Sequence, residues 1–111
     1  MNILFGHIYL VNFDPSIGKE YQKVRPALVI QSDTIPSELV TVMPISSKTK
    51  KRTADDIPLS RDNRNRLLHD SLLKARQISS FDKRRFIHRI GESDEKTMKE
   101  VAKYLRKHFN L

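Results

Sequence analysis

The sequence contains no cysteine, which removes disulfides, thiolate metal sites and thiol catalysis together. A reducing compartment such as the cytoplasm fits a cysteine-free chain. No apolar run approaches the roughly 18 residues that cross a bilayer. The opening "MNILFGHIYLV" is apolar but short, with no basic leader and no small-residue cleavage site, so no signal peptide is expected. GxGxxG, GxxxxGK[ST] and GxSxG patterns are missing, leaving nucleotide-fuelled chemistry and an α/β-hydrolase triad unsupported. The histidines His7, His69, His88 and His108 are scattered, and no His/Asp/Glu set has ligand spacing, so neither metal nor cofactor is expected. His69-Asp70 is the only adjacent His–carboxylate pair. Acids are scarce too: 13 Asp+Glu stand against 21 Lys+Arg, a net charge of +8. Such a surplus serves either a polyanion, nucleic acid first, or a well-solvated basic surface. Aromatics make up 7% with no paired stacking motif, which argues against a plain RNA-binding module.

What is present describes one folded domain over 1–111, 38% hydrophobic and 31% charged. "HIYLVNF" (7–13) alternates, with Tyr9, Val11 and Phe13 on one face and Ile8 and Leu10 on the other, and predicts a strand. "DPSIG" (14–18) is a turn. "RPALVIQS" (25–32) predicts a second strand, its "ALVI" buried on both faces and Pro26 at its beginning. "LVTVMPI" (39–45) predicts a third, and "SSKTKKRTADD" (46–56) a polar loop. "SLLKARQIS" (71–79) reads as a fourth strand, with helix as competitor because Leu, Lys, Ala, Arg and Gln favour it. "FDKRR" (81–85) suits one helical turn and "FIHRIG" (86–91) a fifth strand. The C-terminal segment predicts an amphipathic helix with Ser93 as N-cap and a buried stripe of Met98, Val101, Ala102, Leu105 and Phe109. The expected fold class is therefore mainly β with a C-terminal amphipathic helix, a small twisted sheet or partly open barrel.

The remaining candidates are basic and hydroxyl-bearing: Lys19, Lys23, Arg25, Ser46, Ser47, Lys74 and Arg76. An arginine at a strand mouth presents a planar fork to phosphate, and a serine adds an O–H donor. Such a set stabilises charge growing on a phosphate during transfer. On sequence physics alone the plainer reading is favoured, with Arg25 solvating a loop end and Ser46 ending the third strand.

"GHIYLVNFDPSIGKEYQKVRPALVIQSD" resembles the opening of the MazF/PemK toxins, endoribonucleases of bacterial toxin–antitoxin pairs. Their D-P-x-x-G-x-E turn, variable basic loop and R-P-[AV]-L-[VI]-[IV] strand all have counterparts here. "VTVMPISS" (40–47) resembles their second block, and "DSLLKARQISSFDKRRF" more loosely their third. The resemblance implies a compact, SH3-like β-barrel of the CcdB/PemK kind, assembled as a cytoplasmic homodimer. It implies metal-independent cleavage of single-stranded RNA by 2'-OH attack, leaving 2',3'-cyclic phosphate and 5'-OH ends, and a cognate antitoxin as partner. Arg25 aligns with the family's catalytic arginine and Ser46 with its catalytic Thr/Ser. Arginine side chains, with pKa values above about 12, abstract protons poorly, so the resemblance gives Arg25 the developing phosphorane charge. Glu20 matches the turn's acidic position and Lys74 a position that is basic in some relatives, both as catalytic support. Lys19, Tyr21, Lys23, Ser47, Lys48, Arg76 and Gln77 are the implied RNA contacts, with Tyr21 either stacking on a base or anchoring its loop. Lys19 stands where one branch carries His, Arg76 where an acid is usual, and Ser79 where Arg is usual, which leaves the proton-transfer partner and base preference open. The alternative on the same fold is a non-catalytic toxin that occludes a protein target such as a topoisomerase.

Overall fold

The computed structural model describes residues 2–15 and 23–111. Among these residues the strands are β1 (His7–Asn12), β2 (Val24–Val29), β3 (Leu39–Ser46), β4 (Ile57–Leu59), β5 (Ser71–Leu73), β6 (Ser79–Asp82) and β7 (Phe86–Glu92), followed by helix α1 (Glu95–Phe109). They make a seven-stranded antiparallel sheet in the order β4-β5-β3-β2-β1-β7, with β6 also on β3. Strands β4 and β7 end the path, so the sheet is open, not a closed barrel. Seven strands replace the five expected: β4 is only three residues long and carries too little alternation to be seen in sequence, and the expected fourth strand is replaced by two, β5 and β6.

The segment 71–79 is not one strand. It divides into β5, a 3-10 turn at Ala75–Gln77 and the start of β6. The helix-favouring residues won over one turn only: the Lys74 N–H donates to Pro44 O at 2.8 Å and the Gln77 N–H to Lys74 O at 2.9 Å. Ala75, fully buried, anchors that turn in the core.

Alternation sorts β1 and β2 between two clusters. Ile8 and Leu28 join Met43, Ile45 and Leu73 on one face. Tyr9, Val11, Phe13, Ala27 and Val29 join Val40, Val42 and Phe86 on the other. Burial of "ALVI" on both faces follows, since Ala27, Leu28 and Val29 are each at most 1% exposed. Pro26 is the third residue of β2 instead of its first, and it precedes the β2–β3 ladder, which starts at Ala27.

Helix α1 closes the first cluster with Val101, supported by Met98, Tyr104 and Leu105. Its N-cap is Asp94, not Ser93: Asp94 Oδ1 accepts the Thr97 N–H at 2.8 Å. Ser93 is itself buried and donates its hydroxyl to Asp94 O. The bond from Thr97 holds the Asp94 carboxyl below the usual carboxylate range. Phe109 does not complete the stripe; it is 56% exposed, because the last helical turn runs past the cluster.

Gly91 packs where no side chain fits. A β-carbon there would lie 2.4 Å from Arg64 O and 2.5 Å from Asn65 O, both backbone atoms. Gly91→Ala should therefore lower stability by about 2 kcal/mol or more, measured by urea unfolding, whereas Gly91→Ala at wild-type stability would mean that the 64–65 turn yields freely.

Candidate functional site

Strand β3 bonds β6 through Leu39–Val42 and β5 through Ile45–Ser46 on the same side. Between those ladders the 3-10 turn stands off the sheet, and a groove of about 970 Å3 opens beside it. Its floor is apolar: Pro44 from β3, Phe13 past β1 and Phe81 of β6. The Phe13 and Phe81 rings meet edge-on at 5.0 Å, and the Arg85 guanidinium lies 5.7 Å from the Phe81 centroid. Lys74, Arg76, Gln77 and Ser79 line the groove together with Thr53 to Asp56.

The sequence-predicted pair sits at the end of the β2–β3 ladder. Ala27 opposes Pro44 there, and Arg25 and Ser46 each lie two residues further on, towards the same end. The two-residue period puts Arg25 on the face of Ala27 and Ser46 on the face of Pro44. Past the end of that ladder each strand keeps the neighbour on its other edge: Arg25 faces Val11 of β1, and Ser46 faces Leu72 of β5. Arg25 is half-buried. Ser46 is 4% exposed, and its Oγ accepts the Lys48 N–H at 3.1 Å, which leaves its own proton to donate.

The other predicted residues divide by position. Lys74, Arg76 and Gln77 come together along the groove wall. Ser47 and Lys48 are exposed just beyond β3, and neither they nor Arg25 and Ser46 are groove-lining residues. Lys23 is exposed at φ 66°; its N–H donates to Asp14 Oδ1 and its carbonyl accepts the Phe13 N–H, both at 2.8 Å. Arg85 adds hydrogen bonds to the carbonyls of Asn12 and Asp14. Lys19, Glu20 and Tyr21 lie outside the described residues. His69 and Asp70 do not pair: Asp70 accepts the Arg61 N–H, and both residues are exposed.

Sequence reasoning missed the acidic wall. Asp56 Oδ2 receives the Lys74 ammonium at 2.6 Å and the Thr53 N–H at 2.8 Å. Asp55 lies 3.7 Å from both Arg76 Nε and Lys107 Nζ. The available signal was an Asp-Asp step two residues past the Lys/Arg cluster 48–52. Burial pushes the Asp56 carboxyl up, but the bonds from Lys74 and Thr53 more than offset it and bring it below the ordinary range.

Residues 5–109 match the family model described as PemK-like, MazF-like toxin of type II toxin–antitoxin system. The chain is 31% identical over 98 residues to "Endoribonuclease MazF" of Staphylococcus saprophyticus, covering 86% of this chain and 82% of the relative. It is 31% identical over 106 residues to "Endoribonuclease EndoA" of Bacillus subtilis, covering 91% and 89%. Among solved structures, MazF (Form-I) from Deinococcus radiodurans superposes with a TM-score of 0.85 at 24% identity, covering 100% of this chain and 99% of the other.

Because the Asp56 carboxyl is depressed, its contribution to stability is whole above the ordinary carboxylate value of about 3.9. It is lost as pH falls through the lower folded value. Asp56→Asn leaves Lys74 in a site only 15% exposed without its counter-charge, and should cost about 1–3 kcal/mol at pH 7. The gap between variant and wild type should close below about pH 4, read from denaturant midpoints across pH. A gap that persists unchanged in acid would mean that the pair's charge contributes nothing.

Proposed function

This chain belongs to the PemK-like, MazF-like toxins of type II toxin–antitoxin systems, and we propose from that premise how it acts on RNA. It is an endoribonuclease, the toxin of a toxin–antitoxin pair. The proposed substrate is single-stranded RNA, and the proposed reaction is a transesterification. The ribose 2'-oxygen forms a bond to the adjacent phosphorus as it loses its proton. The bond to the 5'-oxygen breaks, and that oxygen takes up a proton. The products carry a 2',3'-cyclic phosphate and a 5'-OH.

One observation carries the site assignment: Arg25 and Ser46 share a face at the end of the β2–β3 ladder, beside a groove whose wall holds Lys74 and Arg76. Arg25 offers its guanidinium to the charge that builds on the non-bridging oxygens. Ser46 donates its remaining hydroxyl proton to the same phosphate. Lys74 and Arg76 meet flanking phosphates, while Gln77 presents an amide to a base edge. Ile78 and Phe81, the partly exposed apolar residues of the groove, accommodate an unstacked base. Lys23, Ser47 and Lys48 extend the basic surface at the strand ends.

The reading includes the whole chain as one toxin domain, a homodimer as the working form, the cytoplasm as its place and an acidic antitoxin segment as the inhibitor. Net charge of +8 favours both the polyanionic substrate and an acidic inhibitor. No helix among the described residues is long and apolar enough to cross a membrane.

Incubation with a long defined transcript in EDTA should give fragments with 5'-OH and cyclic-phosphate ends. Arg25→Ala should slow cleavage by about 100-fold or more, and Ser46→Ala by about tenfold. Wild-type rates in Arg25→Ala would overturn the site, and failure to cut any varied RNA would favour the non-catalytic toxin that occludes a protein target.

A further inference from the structure

We propose that Asp56 is a positioning residue for the ribonuclease reaction: it fixes the Lys74 ammonium at the groove wall, where that ammonium meets a phosphate oxygen of the bound RNA. The inference rests on the ribonuclease reading above.

A lysine ammonium is a point charge on a flexible stem, and by itself it samples many places. Lys74 is held at both ends. Its backbone N–H is bonded to Pro44 O at 2.8 Å, and its Nζ to Asp56 Oδ2 at 2.6 Å. Asp56 is held in turn by the Thr53 N–H at 2.8 Å, and its own N–H donates to Thr53 O at 3.2 Å. The carboxylate side chain is 4% exposed and the lysine side chain 15%, so the acid is the deeper member of the pair. The ammonium has three N–H donors, and the one bond to Asp56 leaves two for a ligand in the groove.

The neighbouring acid behaves differently. Asp55 shares its carboxylate between Arg76 and Lys107 at 3.7 Å, beyond hydrogen-bond range, and both basic side chains are more than 70% exposed. Those contacts exchange readily with solvent and with phosphate. Of the groove's cations among the described residues, Lys74 is thus the one with a fixed place, and fixed charges are the ones that favour a transition state over a ground state.

A buried pair kept for packing alone is replaceable without loss of rate, which separates the two roles. The test compares Lys74→Gln, Asp56→Asn, Asp56→Glu and the double variant Asp56→Asn/Lys74→Gln with wild type. Single-turnover cleavage is measured on a short RNA bearing a mapped cut site. Binding is measured against salt on the same RNA with a 2'-O-methyl group at the scissile nucleotide. Lys74→Gln should slow cleavage about 10–100-fold and reduce the salt slope by about 0.7, one phosphate contact on a single strand. Asp56→Asn should slow cleavage about tenfold or more with the salt slope unchanged, because Lys74 keeps its charge. The double variant should be no slower than Lys74→Gln alone, and Asp56→Glu should recover part of the rate. Thermal unfolding checks each variant. If Asp56→Asn does not fold, Asp56→Glu and the double variant still decide the question. Additive losses in the double variant, or wild-type cleavage in Asp56→Asn, overturn the inference alone. A wild-type protein that cuts no RNA overturns the ribonuclease reading and this inference with it.

Discussion

A strand has one hydrogen-bonding edge on each side, and β3 must share one of its edges between two partners. Leu39–Val42 bond β6 and Ile45–Ser46 bond β5, while β2 occupies the opposite edge. The chain that supplies both partners must leave β3 after Leu73 and return at Ser79. The 3-10 turn Ala75–Gln77 makes that detour. It is tied down by the Lys74–Pro44 backbone bond and the buried Ala75. The groove is the space this detour leaves, and its wall is the detour's own side chains. Fold and site are therefore one construction.

Charge then shapes what the groove does. The chain carries +8 overall, yet its groove contains two carboxylates. In a uniformly basic cleft every cation repels its neighbours and each long side chain moves freely. Among the described groove residues, Asp56 and Asp55 divide the cations into a held one, Lys74, and a loosely partnered one, Arg76. Polyanion attraction is long-ranged and tolerates loose charges. Chemistry at one phosphorus needs a charge in a fixed place.

Legibility in the sequence followed the range of the interaction. β1 was readable because apolar alternation is local, and the structure sorts Tyr9, Val11 and Phe13 from Ile8 as that alternation requires; β2 was readable from its continuous apolar run, which is equally local. Helix α1 was readable from its stripe, although Asp94 displaced Ser93 as cap by one position and Phe109 stayed outside the core. β4 was not readable, since three residues cannot show a period. Segment 71–79 had conflicting local preferences, and contact with Pro44 decided between them.

The sequence by itself determined the chemical inventory: a cysteine-free basic chain, an Arg-Pro strand start, a Pro-Ile-Ser-Ser strand end and a capped amphipathic helix. Each depends on residue identity and near-neighbour spacing, which a linear chain displays. Only the tertiary structure decided that Arg25 and Ser46 lie just past the same end of one ladder, that Phe13 and Phe81 meet at one groove, and that Asp56 lies against Lys74 across 18 residues of chain. Those relations come from strand register and the sharing of β3, and neither is encoded in any local window.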